Sequence, residues 1–387
     1  MGILKRSRGV VLLLIGGVVA ALVGFAAGTA NAPAAPGGAG TVLAVRDITD
    51  QEDAQLAGSR RAISVTYLSS DAKGELAPVK GTVYIPSVAP RQTGYRIYSY
   101  AHGSAGIGDN CTVTDRLGTG TRFDDWLGQW LADGYVIAAT EYQGLGTPGE
   151  HPYVHGETAG KNVIDMVRAA RTVVQRFTGT SADTSYVTGG ASQGGHASIW
   201  ATALASKYAP ELHNVGGVPS APAVSVDHFA LVAPKVPPIA IGDYVTYTSF
   251  VLAGLNAVHP EANVDSYLTP LGRKIVRDAT TLCYAEQSAA TANVALGDIV
   301  ARPFAQGSLM PKLRAMMNVP ATGYGSPMLV QQGALDQFSF AAETQEWAQR
   351  ARANGAEIDL RIYPDLGHGL APETQTTALR WTNAHWR

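Results

Sequence analysis

The chain has 387 residues, enough for one large domain or two ordinary ones. Hydrophobic residues make up 46% and charged residues 16%, a composition that supports a sizeable core and argues against extensive disorder. Its 29 basic and 31 acidic residues give a formal net charge of −2 at pH 7. Without a basic excess or an acidic tail, the chain has none of the charge patterns of a nucleic-acid-binding protein, and we expect no nucleic-acid partner.

The first 32 residues have the pattern of a signal peptide. Basic residues before position 9 precede an uncharged apolar run, which ends in the A-x-A pattern Ala-Asn-Ala at residues 30–32. Glycines within the run weaken a membrane-spanning helix, so we expect cleavage and secretion, with an uncleaved membrane anchor as the alternative. Residues 33–45 are expected to form a flexible spacer before one domain over residues 46–387.

Cys111 and Cys283 are the only cysteines of the chain. In an exported protein, a single pair of cysteines most simply forms one disulfide bridge. Such a bridge would close a long loop and stabilise the fold by at most about 5 kcal/mol in the chain-entropy model. The alternative is a pair of buried thiols.

Predicted strands and helices alternate from residue 62 onward. The segments AISVTYLSS and KGTVYIPS predict two antiparallel strands, and YRIYSYAHG predicts a strand that ends in a glycine-rich loop. The short helix DDWLGQWLADG, the strand YVIAATEYQG and a long helix from Gly156 to Gly179 follow.

The alternation continues to the end of the chain. The segment SYVTGGASQGGHASIWATALASKY predicts a strand, a tight turn and a helix. The strands PMLVQQGALD and IDLRIYPDLGHG flank the helix AAETQEWAQRARANG, and TQTTALRWTNAHW predicts the last helix. This order predicts an α/β fold with a mostly parallel sheet covered by helices on both faces.

Residues Gly190 to Gly194 read Gly-Ala-Ser-Gln-Gly and fit the pattern G-x-S-x-G between a strand and a helix. This context is typical of a nucleophile elbow, in which a strained turn exposes the serine hydroxyl and small flanking residues let the strand and the helix approach each other. We therefore predict that Ser192 is a catalytic nucleophile. The alternative is an ordinary glycine-rich turn.

A serine nucleophile needs a base and a group that orients the base, and α/β-hydrolases place them in the order Ser, Asp or Glu, His. Asp336 follows the strand PMLVQQGAL, and His368 lies in a glycine-flanked loop after the next strand. We predict these two residues as the acid and the base. Asp365 is the rival acid, but its position three residues before His368 favours a role in shaping that loop.

The tetrahedral intermediate of such a reaction needs backbone N–H donors already in place. We expect one from Gln193, directly after the nucleophile, and a second from Ser104 in the loop AHGSAGIGDNC, with Gly103 as its rival. The alternative is a loop that only connects two elements.

Neither a glycine-rich motif nor the spacing of the histidines indicates a cofactor, and we expect none. Residues 144–149 fit G-x-G-x-x-G, but no helix opens at that turn, as a dinucleotide site requires. The histidines lack metal-ligand spacing, so we expect no metal site. His151, like His155, His213, His228, His259 and His385, is expected to be a loop or surface residue.

Taken together, these motifs resemble the secretory lipases, the lipase-A-like branch of the α/β-hydrolases. The resemblance runs from about Ile63 to His368 and includes the segments YSYAHGSAGIGDNC, EYQGLGTPGEHPYVHG and GGASQGGHAS. It implies an α/β-hydrolase fold that hydrolyses carboxylic esters, commonly triacylglycerols, and carries a helical cap before the acid strand. The family's fourth-strand motif usually begins Asp-Tyr, where this chain has Glu141-Tyr142. The resemblance implies that Tyr142 lines the pocket, with His102 near it.

An insertion is visible between Ser192 and Asp336, which are much farther apart than two strands and a helix require. We predict that about residues 226–322 form the cap. Its long uncharged run and its methionines can form the core of the cap, or can face acyl chains in a cap that opens at a lipid interface.

The sequence thus predicts a secreted serine hydrolase that cleaves carboxylic esters, a triacylglycerol lipase or esterase, through an acyl-enzyme. We expect an ester or lipid substrate, a transient contact with a lipid interface and no obligate protein partner. One alternative is a hydrolase of another acyl substrate, such as a polyester, a plant-wall ester or a peptide. The other is a noncatalytic binding protein with the same fold.

Overall fold

The structure is a computed structural model that describes residues 37–118, 122–225, 242–369 and 372–386. The predicted signal peptide, residues 1–32, lies outside these ranges, as do residues 226–241 of the predicted cap.

A nine-stranded sheet runs through the described residues, in the spatial order β1-β2-β3-β5-β4-β6-β7-β8-β9. Its strands are β1 (Val42–Asp47), β2 (Ser59–Ser70), β3 (Leu76–Pro86), β4 (Tyr95–Ala101), β5 (Tyr135–Thr140), β6 (Ala182–Ala191), β7 (His213–Ser220), β8 (Met328–Gly333) and β9 (Ile358–Tyr363). The first three strands and β5 pair antiparallel, and all pairs from β5 through β9 are parallel. This arrangement confirms the predicted α/β fold with a mostly parallel sheet.

Helices cover both faces of the sheet and fill the long connection between β7 and β8. They are α1 (Arg122–Ala132), α2 (Gly156–Thr178), α3 (Gln193–Tyr208), α4 (Gly242–Val258), α5 (Pro270–Ala279), α6 (Tyr284–Thr291), α7 (Leu296–Ile299), α8 (Leu309–Met317), α9 (Ala341–Ala353) and α10 (Pro372–His385).

Neighbouring strand residues belong to cores on opposite faces of the sheet because side chains alternate along a strand. Val83 on β3 packs in one cluster with Val163 and Val167 of α2. The next residue, Tyr84, packs in another cluster with Trp130 of α1. Both cores are fully buried at these positions, so the sheet is shielded from water on each side.

Two strands were not predicted from the sequence. β1 begins at Val42, inside the predicted spacer, and forms an edge strand whose residues are mostly exposed, so it has no clear apolar alternation. β7 contains two glycines and a proline, which are unfavourable strand residues. Gly216 is needed there because a Cβ would lie 2.8 Å from the carbonyl oxygen of Pro327 and 2.9 Å from the ring of Trp381 on α10.

The helices α4 to α8 share an apolar core of their own, which includes Phe250, Ile275, Ile299, Leu313 and Met316. They occupy the described part of the segment predicted as the cap. Within the ranges given above, no helix is both long and apolar enough to cross a membrane.

Candidate active site

Ser192 stands between the end of β6 and the start of α3, in a backbone conformation that non-glycine residues rarely adopt. Its φ is 58° and its ψ is −118°. Such a conformation costs on the order of 1–3 kcal/mol and persists only where the surroundings hold it. Here the Ser192 N–H donates to the carbonyl of Ser220 at 3.0 Å, and the Ser192 carbonyl accepts from the N–H of His196 at 3.0 Å. This is the strained strand-to-helix turn that the motif predicts.

The glycines two residues before and two residues after Ser192 pack against one atom. A Cβ at either Gly190 or Gly194 would overlap the carbonyl oxygen of Ala101, the last residue of β4. The absence of side chains therefore lets the turn lie directly against the end of β4. Gly103 also lies close to the turn: a Cβ added to Gly103 would be 3.4 Å from the Ala191 carbonyl oxygen.

Asp336 and His368 follow neighbouring parallel strands, β8 and β9, and meet at the carboxyl edge of the sheet. The His368 Nδ1 atom lies 2.9 Å from one carboxylate oxygen of Asp336 and 3.1 Å from the other. The carboxylate also accepts hydrogen bonds from the Gln332 amide and from the backbone N–H groups of Phe338 and Ser339. The rival acid, Asp365, is exposed.

The surroundings of Asp336 keep its carboxylate ionised. Burial alone raises its pKa, but the hydrogen bond and the charge of His368, together with the two backbone N–H donors, outweigh burial and hold the pKa below its usual value. An ionised carboxylate only accepts hydrogen bonds, so the proton in this contact belongs to His368 Nδ1. The His368 Nε2 atom takes no part in this contact.

Ser192 and Gln193 line a small cavity of about 30 Å³. The other described residues around it are Tyr153, Val154, Ala223, Tyr247, Val251, Met317, Phe338 and Ser339. The Phe338 ring also contacts the His368 imidazole edge to face, with 5.4 Å between ring centroids. Residues of the elbow, of the loop after β8 and of helices α4 and α8 therefore surround one space.

The predicted oxyanion residues lie on the two segments that meet beside this cavity. Gln193 is the first residue of α3, where free N–H groups and the helix dipole favour negative charge. Ser104 lies in the loop after β4, and its Oγ atom is 2.5 Å from the hydroxyl of Tyr153. Gly103 precedes it.

Tyr142 and His102 are not among the described residues that line this cavity. Both are 1% exposed, and the Tyr142 hydroxyl donates to the His102 carbonyl at 2.7 Å. The Glu141 carboxylate is fully buried, 3.5 Å from His102 Nε2, and accepts from the N–H groups of Val113 and Thr114. These contacts hold the two ends of the segment that contains Ser104, at His102 and at Val113 and Thr114.

The structure joins Cys111 and Cys283 in a disulfide, with 5.3 Å between their Cα atoms. Next to it, the Tyr284 N–H donates to the Ala105 carbonyl at 2.9 Å. The bridge thus ties the loop after Ser104 to the start of α6 in the predicted cap.

His151 lies in a loop, as the sequence predicts, but it is buried and not on the surface. It is 3% exposed and contacts the elbow. Its Nδ1 lies 2.7 Å from the Gln143 carbonyl, and its Nε2 lies 3.1 Å from the Gln193 side-chain nitrogen. Burial lowers its pKa to about 4, so the ring is neutral. The one available signal was its place in the segment after β5, at the same sheet edge as the elbow.

Among the residues that the structure describes, no three His, Cys, Asp or Glu side chains converge as ligands of a metal ion.

Comparisons with known proteins find similarity to lipases. The family model described as "Secretory lipase" matches residues 120–387. Lipase A of Moesziomyces aphidis is 24% identical over 237 residues, 57% of this chain but only 47% of that protein, so the match spans about half of the relative's length. A Mycobacterium tuberculosis protein described as a "Probable inactive lipase" is 23% identical over 365 residues, 88% of this chain and 77% of that one.

Solved structures share the fold. The crystal structure of a rice cell wall degrading esterase, LipA, from Xanthomonas oryzae superposes with a TM-score of 0.70 at 17% identity, and covers 90% of this chain and 97% of that one.

Proposed function

This chain belongs to the secretory lipase family, and from that premise we propose that it hydrolyses carboxylic esters with Ser192, His368 and Asp336 as a catalytic triad. The observation that carries the proposal is the pairing of the strained Ser192 turn with the His368–Asp336 contact at the same edge of the sheet. A positive φ on a serine costs free energy, and the nucleophile elbow is a turn in which this strained conformation exposes the serine hydroxyl.

In the proposed reaction, His368 Nε2 takes the proton of the Ser192 hydroxyl as the serine oxygen attacks the ester carbonyl. Asp336 keeps the imidazole in the tautomer with the proton on Nδ1 and stabilises the imidazolium that forms. The imidazolium then gives its proton to the leaving alcohol. A water molecule repeats the sequence on the acyl-enzyme and releases the carboxylic acid. These steps use only protein groups and water.

The negative oxygen of each tetrahedral intermediate is proposed to accept hydrogen bonds from the backbone N–H groups of Gln193 and Ser104. The close packing of the elbow against the end of β4 supports this assignment, because it brings the two segments beside each other. Preorganised donors of this kind contribute about 10²- to 10³-fold to kcat each.

The substrate is proposed to be an ester with an apolar acyl group. The cavity beside Ser192 is lined mainly by apolar and aromatic side chains, among them Tyr247 and Val251 of α4 and Met317 of α8. At about 30 Å³ it is far smaller than the usual ligand pocket of about 300–1,000 Å³. A substrate therefore needs its lining to move, which fits residues 226–322 as a cap that shapes acyl selectivity.

We also propose that the protein is secreted, with residues 1–32 as a cleaved signal peptide. The family description and the Cys111–Cys283 disulfide support export, since disulfides persist in oxidising compartments.

The competing proposal is a noncatalytic protein with this fold, and the relative described as inactive makes it worth testing. Reaction of the purified protein with a serine-directed phosphonate and hydrolysis of a chromogenic short-chain ester separate the two. We expect labelling at Ser192 and turnover, both abolished in Ser192→Ala. A folded wild-type protein with neither labelling nor turnover would be a binding protein. Labelling with turnover only of polyesters, plant-wall esters or peptides would change the substrate class.

A further inference from the structure

We propose that His151 and Tyr153, in the loop between β5 and α2, are positioning residues that hold the two oxyanion-hole segments in place. Tyr153 acts on Ser104 and His151 acts on Gln193. The inference rests on the proposed function, because it concerns the donors of that reaction.

Tyr153 fixes the segment that carries Ser104. The two hydroxyl oxygens are 2.5 Å apart, and Tyr153 is 4% exposed. Burial raises the pKa of Tyr153 to about 12, so the phenol keeps its proton throughout the neutral range and can donate to Ser104 Oγ. Its ring packs against Phe250, and its backbone packs against Gly254 of α4, where a Cβ would lie 2.8 Å from the Tyr153 nitrogen. This packing fixes the position of the Tyr153 hydroxyl.

His151 fixes the side chain of Gln193 through its tautomer. The 2.7 Å contact with the Gln143 carbonyl requires a proton on Nδ1, because a carbonyl oxygen only accepts. The neutral ring has no second proton, so Nε2 accepts from the Gln193 amide nitrogen at 3.1 Å. The opposite amide orientation would set two acceptors against each other. The first residue of α3 is thus anchored by its side chain while its backbone N–H stays free for substrate.

The loop that carries both residues is itself anchored. The Gln143 N–H donates to the Asn162 side chain on α2 at 2.9 Å, and the Tyr153 N–H donates to the His151 carbonyl at 2.8 Å. A continuous set of hydrogen bonds therefore runs from α2 through one loop to both candidate donors. Two such contacts from residues two positions apart are hard to explain by loop stability alone.

Tyr153→Phe tests the first contact, because it removes one oxygen and keeps the ring. Deleting a donor outright costs about 10²- to 10³-fold in kcat, so a donor that is only loosened should cost about tenfold. We expect this loss in kcat on a chromogenic short-chain ester, with KM unchanged. Inhibition by a short alkyl boronic acid, whose tetrahedral adduct with the serine carries an oxygen in the oxyanion hole, should weaken by the same factor. Ser104→Ala combined with Tyr153→Phe should cost no more than the larger single change.

The second contact is tested by His151→Leu and His151→Gln. Leucine removes both hydrogen bonds and should lower kcat about tenfold, whereas a glutamine can donate to Gln143 and accept from Gln193 and should restore most of the rate. If His151→Leu does not fold, Gln193→Met breaks the same contact from the other side and keeps the backbone N–H. It should reproduce the loss.

Tyr324→Phe is the matched control. The Tyr324 hydroxyl donates to the Pro320 carbonyl at 2.6 Å, and neither residue lines the cavity. The change therefore removes a comparable hydrogen bond and leaves the site intact. It should leave kcat and boronic acid inhibition unchanged. The proposal is overturned if folded Tyr153→Phe and Gln193→Met both keep kcat and inhibition within twofold of wild type. An active Ser192→Ala would instead refute the proposed function.

Discussion

His368 Nδ1 lies 2.9 Å from a carboxylate oxygen of Asp336, although the two residues are 32 positions apart and follow different strands. The Asp336 side chain is completely buried, whereas the His368 side chain is 21% exposed. Asp336 is therefore held inside the protein, whereas His368 is partly open to solvent.

Asp336→Asn should lower kcat by about 10³- to 10⁴-fold while the protein stays folded. An asparagine amide can donate to Nδ1 and so stabilise the wrong tautomer, with the proton on Nε2. The measurement is steady-state hydrolysis of a chromogenic ester, with circular dichroism to check folding. Asp365→Asn is the matched control, because Asp365 is an exposed acid close to His368 in the chain. Near-normal Asp336→Asn together with inactive Asp365→Asn would reverse the assignment of the acid.

Loss of the disulfide should destabilise the fold and lower the rate of the proposed ester hydrolysis. The disulfide joins two cysteines, Cys111 and Cys283, that are 172 positions apart in the sequence. Removing it lowers the free energy of unfolding by up to about 5 kcal/mol in the chain-entropy model. Because the bridge adjoins the Tyr284–Ala105 hydrogen bond, kcat should fall in the double Cys→Ala variant before unfolding begins.

Guanidinium unfolding and ester hydrolysis of the double Cys→Ala variant measure both effects, and non-reducing peptide mapping of the wild type locates the bridge. Reduced wild-type protein is the control, since the chain has no other cysteine. Two free thiols in active, exported protein would contradict the prediction.

Acid should destabilise the protein through its buried histidines. His196 is fully buried, its Nε2 lies 2.7 Å from the Met317 carbonyl, and burial lowers its pKa to about 4. The unfolded chain titrates near about 6.5, so below that pH it binds more protons than the folded chain. Stability is therefore complete above about 6.5 and is lost as the pH falls toward 4. Linkage gives about 2 kcal/mol for this residue between pH 8 and pH 5.

His196→Gln should remove that part of the pH dependence, as seen in urea unfolding at pH 8 and pH 5. His213→Gln, at an exposed position on β7, is the control and should behave like wild type. Equal pH dependence in all three proteins would rule out His196 as a source of acid sensitivity.

The sequence predicts those parts of the fold and site that depend on local pattern or on sheet geometry. Ser192 was recognisable from its flanking glycines, and Asp336 and His368 from their places after two strands whose carboxyl ends must share one edge. β7 was not recognisable, because Gly216 reflects close packing by Pro327 and Trp381, which are both distant in the chain. His151 and Tyr153 were missed for a similar reason: their partners lie on other segments, and a lone histidine in a loop has no local feature that reveals them.

Val251 on α4 should control the preference between long and short acyl chains. It lines the cavity beside Ser192, so Val251→Phe fills space that an acyl chain needs and Val251→Ala enlarges it. Each methylene that loses its buried contact costs about 0.8 kcal/mol, which is about fourfold in kcat/KM. We expect Val251→Phe to lower kcat/KM for a long ester far more than for a short ester of the same alcohol, and Val251→Ala to shift the ratio the other way.

Val276→Ala is the matched control, because Val276 is buried in the same helical cluster but is not among the residues that line the cavity. It should lower stability without changing the ratio of the two rates. Gly254, one turn along α4, is unsuitable for a bulky substitution, because any side chain there meets the backbone of Tyr153. Such a change would also disturb the contact between Tyr153 and Ser104. If both Val251 variants change the two esters by the same factor, the predicted cap supports the fold and does not select the acyl chain.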